Sequence, residues 1–138
     1  MDELIKAILA RYEAAAGATL KAATPGGMWL DQAPTISSGT FIVVTIVNPL
    51  EEEFVMNSTV STGETMIQFA INNTAAGTDT LVVAAKALLR TLYHDVILTG
   101  LSGVTVMMAK CKRERGPVRD PDSTGYQFFV ETHYMLGK

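Results

Sequence analysis

The chain has 138 residues, of which 48% are hydrophobic and 18% charged, and its formal net charge is −3. This length suits a single domain spanning residues 1–138, and the composition excludes a disordered chain and a generally basic nucleic-acid-binding protein. One cysteine excludes an internal disulfide, and no apolar run reaches the roughly 18 residues of a membrane helix, so we expect synthesis in a reducing cytoplasm and no membrane partner. The low charge and the seven methionines indicate apolar surface that a partner covers.

The first half of the chain has the pattern of one helix followed by strands. Apolar residues at helical spacing predict a helix over residues 2–16, and a short extended piece is expected at 28–30. Residues 41–47 are apolar and β-branched, which predicts a central strand covered on both faces by helices or by a neighbouring subunit. Residues 65–72 predict a second strand. The segment 50–65 is either a hairpin arm or a long loop that contains a strand.

The second half has the pattern of a helix followed by two strands. A stripe of apolar residues predicts a helix over 79–94, with Thr78 or Asp79 as its cap. Strands are predicted at 104–109 and from residue 125 almost to the C-terminus. The order of elements predicts an α+β fold with a mainly antiparallel sheet of about four or five strands, flanked by two helices and carrying extended loop or hairpin arms.

The segment between the last two strands is predicted to be a loop, and it concentrates the positive charge. Residues 110–119 hold five of the 11 Lys and Arg residues and one of the 14 Asp and Glu residues, so they carry +4 and the rest of the chain −7. The basic residues are Lys110, Lys112, Arg113, Arg115 and Arg119. The loop is either a solvated hairpin end or an ordered basic loop that faces a DNA channel or grips a neighbouring subunit. Because no aromatic residue is interleaved, a DNA contact would involve phosphates and be non-specific.

A second candidate surface is a segment of the chain that begins with three glutamates. Its residues, a possible interface arm, are Glu51, Glu52, Glu53, Phe54, Val55 and Met56. A solvated loop is the alternative interpretation. The segment 50–62 lacks the periodicity of a core element, which suggests that it becomes ordered on binding.

No catalytic, cofactor-binding or metal-ligating residues are indicated. Cys111 and His133 could pair in space as a nucleophilic dyad, but a small strand-end residue and a surface histidine are the simpler interpretation. His94 and His133 are far apart in the sequence, and neither has a second ligand at helical spacing. His94 is expected to interact with carbonyls at the end of its helix. The glycine pairs match no phosphate-binding pattern, so we expect no cofactor.

The order of these segments resembles that of the tail-terminator and tail-completion proteins of long-tailed bacteriophages, including the related head–tail joining proteins. The segments that carry the resemblance are the N-terminal helix, the extended residues 29–34, the strands at 41–44 and 66–71, the helix at 79–94, the long polar loop, and the terminal strand at 126–130. The resemblance covers nearly the whole chain. It lies in the order of the elements and in the residue types that make up the strands. The segment 48–65 is longer than in the commonest pattern of the family.

The resemblance implies a non-enzymatic virion structural protein that assembles into a ring, usually a hexamer, at the head-proximal end of the tail. Such a ring caps the polymerising tail tube, offers a docking surface for the neck, and lets DNA pass through its central hole. The implied partners are copies of the same chain, the tail-tube protein and a neck or connector protein. The implied location is the tail or neck of the virion, after assembly in the host cytoplasm.

Three other interpretations fit the same pattern less well. The chain could be another head–tail connector or neck component, or a cytosolic oligomeric adaptor. It could also be a small cytosolic enzyme or ligand-binding α+β domain, whose pocket would be lined by Trp29, Tyr126, Phe128 or His133. The enzyme interpretation lacks an acid–base pair supported by spacing.

Overall fold

A computed structural model describes residues 2–33, 39–54, 61–121 and 123–137. The elements in chain order are α1 (Asp2–Glu13), a short 3-10 helix (Ala15–Gly17), α2 (Ala18–Ala23), β1 (Met28–Leu30), β2 (Phe41–Phe54), β3 (Ser61–Asn73), α3 (Asp79–Tyr93), β4 (Thr105–Arg119) and β5 (Tyr126–Gly137). Within these ranges, no helix is both long and apolar enough to span a bilayer.

The strands form one sheet in the order β1-β2-β3-β5-β4. The pairs β2–β3, β3–β5 and β5–β4 are antiparallel, while the three-residue β1 runs parallel to β2 at one edge. The predicted α+β fold with a mainly antiparallel sheet is therefore confirmed. The long strand β4 forms the opposite edge, so half of its backbone groups face away from the sheet.

The helices pack on one face of the sheet and create the core there. Alternate residues of a strand point to the same face, and on the helix face Phe69 of β3 and Val130 of β5 are fully buried. The Phe69 ring stacks on Tyr93 of α3, with 5.0 Å between the ring centroids. Burial of each large apolar side chain contributes about 1.5–3 kcal/mol relative to exposure, so this single layer is the main source of stability.

The opposite face, called the open face below, has no helix over it within the described residues. On β2, Val43 and Thr45 are half-buried and the side chain of Val47 is 44% exposed. The prediction that residues 41–47 are covered on both faces is therefore met only on the helix side in the described part of this chain. An incompletely covered sheet face with apolar residues is a surface that a partner can bury.

The N-terminal helix is shorter than predicted, and α2 was not predicted at all. The chain turns at Gly17, where a Cβ atom would lie 2.2 Å from the carbonyl oxygen of Tyr12. This close approach needs glycine and lets α2 fold back beside α1. The Tyr12 hydroxyl then lies 2.7 Å from Oγ1 of Thr24, which ties the end of α2 to α1. The helix predicted at 79–94 is confirmed as α3. Thr78 is at its N-cap position, but its hydroxyl donates to the Ala75 carbonyl at 2.8 Å and does not cap the helix.

Two core tyrosines are predicted to respond differently to loss of the hydroxyl. Tyr93 donates to the Ile8 carbonyl at 2.7 Å, whereas the Tyr134 hydroxyl is buried with no hydrogen-bond partner among the described residues. We expect Tyr93→Phe to lower the free energy of unfolding by about 1 kcal/mol and Tyr134→Phe to leave it unchanged or raise it by about 1 kcal/mol. Urea unfolding followed by circular dichroism measures both. Equal losses in the two variants would contradict the prediction.

Candidate functional site

The basic segment forms the second half of strand β4, so the predicted loop over 110–122 is wrong. β4 continues to Arg119, and the connection to β5 occupies residues 120–125, where the Asp120 N–H donates to the Gly125 carbonyl at 3.0 Å. Charged residues and Gly116-Pro117 give this segment the composition of a loop. Pairing with β5 nevertheless makes it a strand, because tertiary context decides such cases. The basic side chains are therefore divided between the faces of a sheet.

Two arginines of β4 lie on the open face. Arg113 stands opposite Glu131 of β5, and Arg115 stands opposite Phe129. The guanidinium carbon of Arg115 lies 4.7 Å from the centroid of the Phe129 ring, which is a cation–π contact. Lys112, next to Arg113, is exposed at an irregularity in the β4–β5 register.

These residues line a shallow groove of about 610 Å³ on the open face. We call it the basic groove, and its lining residues are Gln68, Lys112, Arg113, Glu114, Arg115, Phe129 and Glu131. Arginine and aromatic residues are enriched at the centres of protein interfaces. A lining that combines cations with an aromatic ring, an amide and two carboxylates suits a protein segment better than a phosphate backbone.

The acidic residue within the basic segment is bound to the helix layer. Glu114 accepts a hydrogen bond from Arg90 at 2.9 Å, and its other carboxylate oxygen lies 3.4 Å from Nζ of Lys86. Both cations belong to α3. The charge of Glu114 is therefore balanced from the helix side and does not neutralise the arginines on either side of it.

The predicted basic residues differ in how far their charge is already matched. Four of them have no carboxylate within salt-bridge distance among the described residues, and the first three lie in the basic groove: Lys112, Arg113, Arg115 and Arg119. Lys110 pairs with Asp95, and this hydrogen bond holds the pKa of the Asp95 carboxyl below its usual value. Arg119 stands opposite Tyr126 at the end of β4. The charge available to a partner is thus concentrated in the basic groove.

The acidic arm is a hairpin, which is one of the two forms that the sequence allowed. The arm residues in β2 are Glu51, Glu52, Glu53 and Phe54, and they pair with residues 61–64 of β3. Val55 and Met56 lie outside the described residues. Glu51 stands opposite Glu64 in the strand register. We call residues 51–54 and 61–64 the acidic hairpin.

Comparison with known proteins identifies the fold. No protein-family model and no curated protein matches the chain. A chain in the virion of a native gene transfer agent particle has a similar fold, with a TM-score of 0.69 and 16% identity over 88% of this chain and 86% of that one. The fold resembles that of a virion chain. A second solved structure has a TM-score of 0.54 and 12% identity over 98% of this chain and 94% of that one.

Cys111 and His133 do not form the dyad that their strands allowed. Cys111 lies on the helix face with 7% exposure, and its Sγ atom is 3.4 Å from Oγ1 of Thr132. His133 lies on the open face, where its Nδ1 atom is 3.4 Å from a carboxylate oxygen of Glu64. Burial raises the pKa of the Cys111 thiol, which is the opposite of the change that activates a nucleophile.

His94 connects the end of α3 to β4. Its Nδ1 atom accepts the backbone N–H of Cys111 at 2.9 Å, so the ring contacts β4 instead of the terminal carbonyls of its helix. Its own backbone N–H donates to the Arg90 carbonyl at 2.9 Å. The described part of the chain contains no group of three or more His, Cys, Asp or Glu residues placed to hold a metal ion.

The residues considered for an enzyme pocket are not brought together. Trp29 is on the edge strand β1, 38% exposed, and its indole N–H donates to the Gly26 carbonyl at 2.7 Å. Phe128 is buried on the helix face, whereas His133 is on the open face. Sequence reasoning missed Gln68, Phe129 and Glu131 as parts of the basic groove. The period-two spacing of Gln127, Phe129, Glu131 and His133 along the strand predicted from residue 125 was the available signal, because it places these residues on one face.

Proposed function

We propose that this chain is a non-enzymatic virion structural protein that forms a homo-oligomeric ring, a hexamer, at the head-proximal end of a phage-like tail. The ring ends polymerisation of the tail tube, joins the tail to a neck or connector protein, and lets DNA pass through its hole. It resides in the virion after assembly in the host cytoplasm. The observation that carries the proposal is the fold similarity, over 88% of the chain, to a chain of a gene transfer agent virion.

The surface of the chain supports an assembling role. The open face presents half-buried apolar residues with no helix over them in the described ranges, and Val47 is 44% exposed. The basic groove and the acidic hairpin add two surfaces of opposite charge. Apolar and complementary charged surfaces on one chain suit contacts between copies of that chain.

The chemistry of the described residues supports a non-enzymatic role. The sole cysteine and His133 lie on opposite faces of the sheet, and the pKa of the thiol is raised by burial. The described lining of the groove holds no serine, threonine or cysteine nucleophile. Of its two carboxylates, Glu114 is bound by Lys86 and Arg90, and Glu131 stands opposite Arg113.

Particles produced without this chain test the function directly. We expect tails of uncontrolled length that do not join heads, and rings of the purified chain in negative-stain electron microscopy and native mass spectrometry. Tails of normal length that fail to attach would instead assign the chain to the neck or connector. Normal, attached tails in its absence would overturn the proposal.

A further inference from the structure

We propose that neighbouring copies contact each other head to tail, with the acidic hairpin of one copy docked against the basic groove of the next. The inference rests on the proposed ring and names the surfaces that build it. It follows from the distribution of charge, the positions of the two surfaces in the sheet, and the form of the β4 edge.

The acidic hairpin has no cation in its own part of the sequence. Residues 22–85 contain six acidic residues and no Lys, Arg or His, and four of the six lie in the hairpin. Within this hairpin Glu51 stands opposite Glu64. A segment that concentrates carboxylates in this way favours a partner surface that supplies cations.

The basic groove has the matching excess of positive charge. Lys112, Arg113 and Arg115 outnumber the two carboxylates in the groove lining, Glu114 and Glu131. Glu114, between the two arginines, is already bound by α3. Guanidinium groups bind carboxylates through paired hydrogen bonds, so the arginines suit a glutamate-bearing strand.

One chain cannot join its own two surfaces. The register places the acidic hairpin at the end of the sheet where β5 finishes, because Thr62 stands opposite Gly137. The basic groove lies beside the first half of β5, where Arg115 stands opposite Phe129. The β2 strand of the hairpin and the β4 arginines are also separated across the sheet, since β3 and β5 lie between β2 and β4. Because the charges are complementary, we assign the groove to the acidic hairpin of a second copy.

The outer edge of β4 favours contact through side chains over addition of a strand. The β4–β5 register is interrupted at three places, and Pro117 provides no N–H. Charged residues, bulges and proline are the features that keep edge strands from pairing with other sheets. A head-to-tail contact of this kind leaves one surface free at each end, and only a closed ring satisfies all copies.

Site-directed disulfides test the contact. In a Cys111→Ala background, a Glu52→Cys chain is mixed with an Arg115→Cys chain and oxidised. We expect a mixed disulfide between the two chains, and little product when Thr80→Cys on α3 replaces Arg115→Cys. A chain that carries both cysteines should give a ladder that ends at the ring. A ladder that stops at the dimer, or no mixed disulfide, overturns the inference.

Charge reversal gives an independent readout on the folded chain. Arg113→Glu with Arg115→Glu should weaken self-association by at least about tenfold, and mixing with Glu51→Lys, Glu52→Lys chains should restore it. Lys6→Glu with Lys21→Glu, on the exposed surfaces of α1 and α2, makes the same change in net charge and should have little effect. Normal self-association of the reversed arginine variant, with loss only of DNA retention, would overturn the inference in favour of a channel role.

The outcomes separate this inference from the proposed function. If rings form but no mixed disulfide appears, the hairpin–groove contact is wrong and the proposed ring function stands. If the mixed disulfide forms but the chain never assembles into rings, the hairpin–groove contact stands and the proposed ring is wrong.

Discussion

Gly125→Ala is expected to lower the free energy of unfolding by about 3 kcal/mol or more, or to prevent folding. Gly125 is buried in the turn before β5, and a Cβ atom there would lie 1.6 Å from the carbonyl oxygen of Asn73. The obstacle is backbone, not the end of a flexible side chain. The strand pair that begins with Asn73 opposite Tyr126 would have to separate to admit the methyl group.

Urea unfolding measured by circular dichroism checks this prediction, with soluble yield as the readout if the variant does not fold. Gly77→Ala is the matched control, since Gly77 has a φ of +71° and nothing within 4 Å of the added Cβ. Gly77→Ala should lower the free energy of unfolding by only about 1 kcal/mol, because alanine must then adopt a left-handed backbone conformation. Similar losses at the two positions would show that the close approach at Gly125 is not the cause.

Stability is expected to fall steeply as the pH rises past the ordinary tyrosine pKa of 10.0. Burial raises the pKa of Tyr12, Tyr93 and Tyr134 in the folded protein, and burial likewise raises that of the Cys111 thiol above its usual 9.0. Above these ordinary values the unfolded chain loses protons that the folded chain retains. The unfolded state is then favoured with each increase in pH. Below these ordinary pKa values, the contribution of the buried neutral groups to the free energy of unfolding is fully present.

Denaturant unfolding at a series of pH values, from neutral to beyond the ordinary tyrosine pKa, measures this decline. Tyr93→Phe and Tyr134→Phe should each make the alkaline decline shallower, because each removes one ionisable group from the unfolded chain. A free energy of unfolding that stays constant across the alkaline range would contradict the burial of these hydroxyls.

Most of the fold could be predicted because its central elements have strong local patterns. Residues 41–47 and 65–72 are apolar and β-branched enough to be strands in nearly any context, and the apolar stripe of α3 is regular. The second half of β4 could not be predicted, since its composition is that of a loop and only pairing with β5 makes it a strand. Helix α2 has six residues, and its position depends on the close packing at Gly17.

The candidate site could be predicted in part for a similar reason. A concentration of positive charge at 110–119 is visible in the sequence. Which of these charges remain available is a property of the fold, because Asp95, which pairs with Lys110, comes from the turn after α3. Gln68 and Phe129 reach the basic groove from two other strands. The spacing of residues along the chain does not predict such contacts between segments that are distant in the sequence.

Successive side chains of β4 point to opposite faces of the sheet, so this strand connects the basic groove on the open face to α3 on the helix face. Arg113 and Arg115 point to the open face, while Glu114 between them is bound by Lys86 and Arg90 of α3. Each arginine is joined to Glu114 through a single peptide unit, so a force on either arginine reaches this carboxylate. In the proposed head-to-tail contact, we therefore expect strain at the groove to be borne by α3 as well as by the sheet.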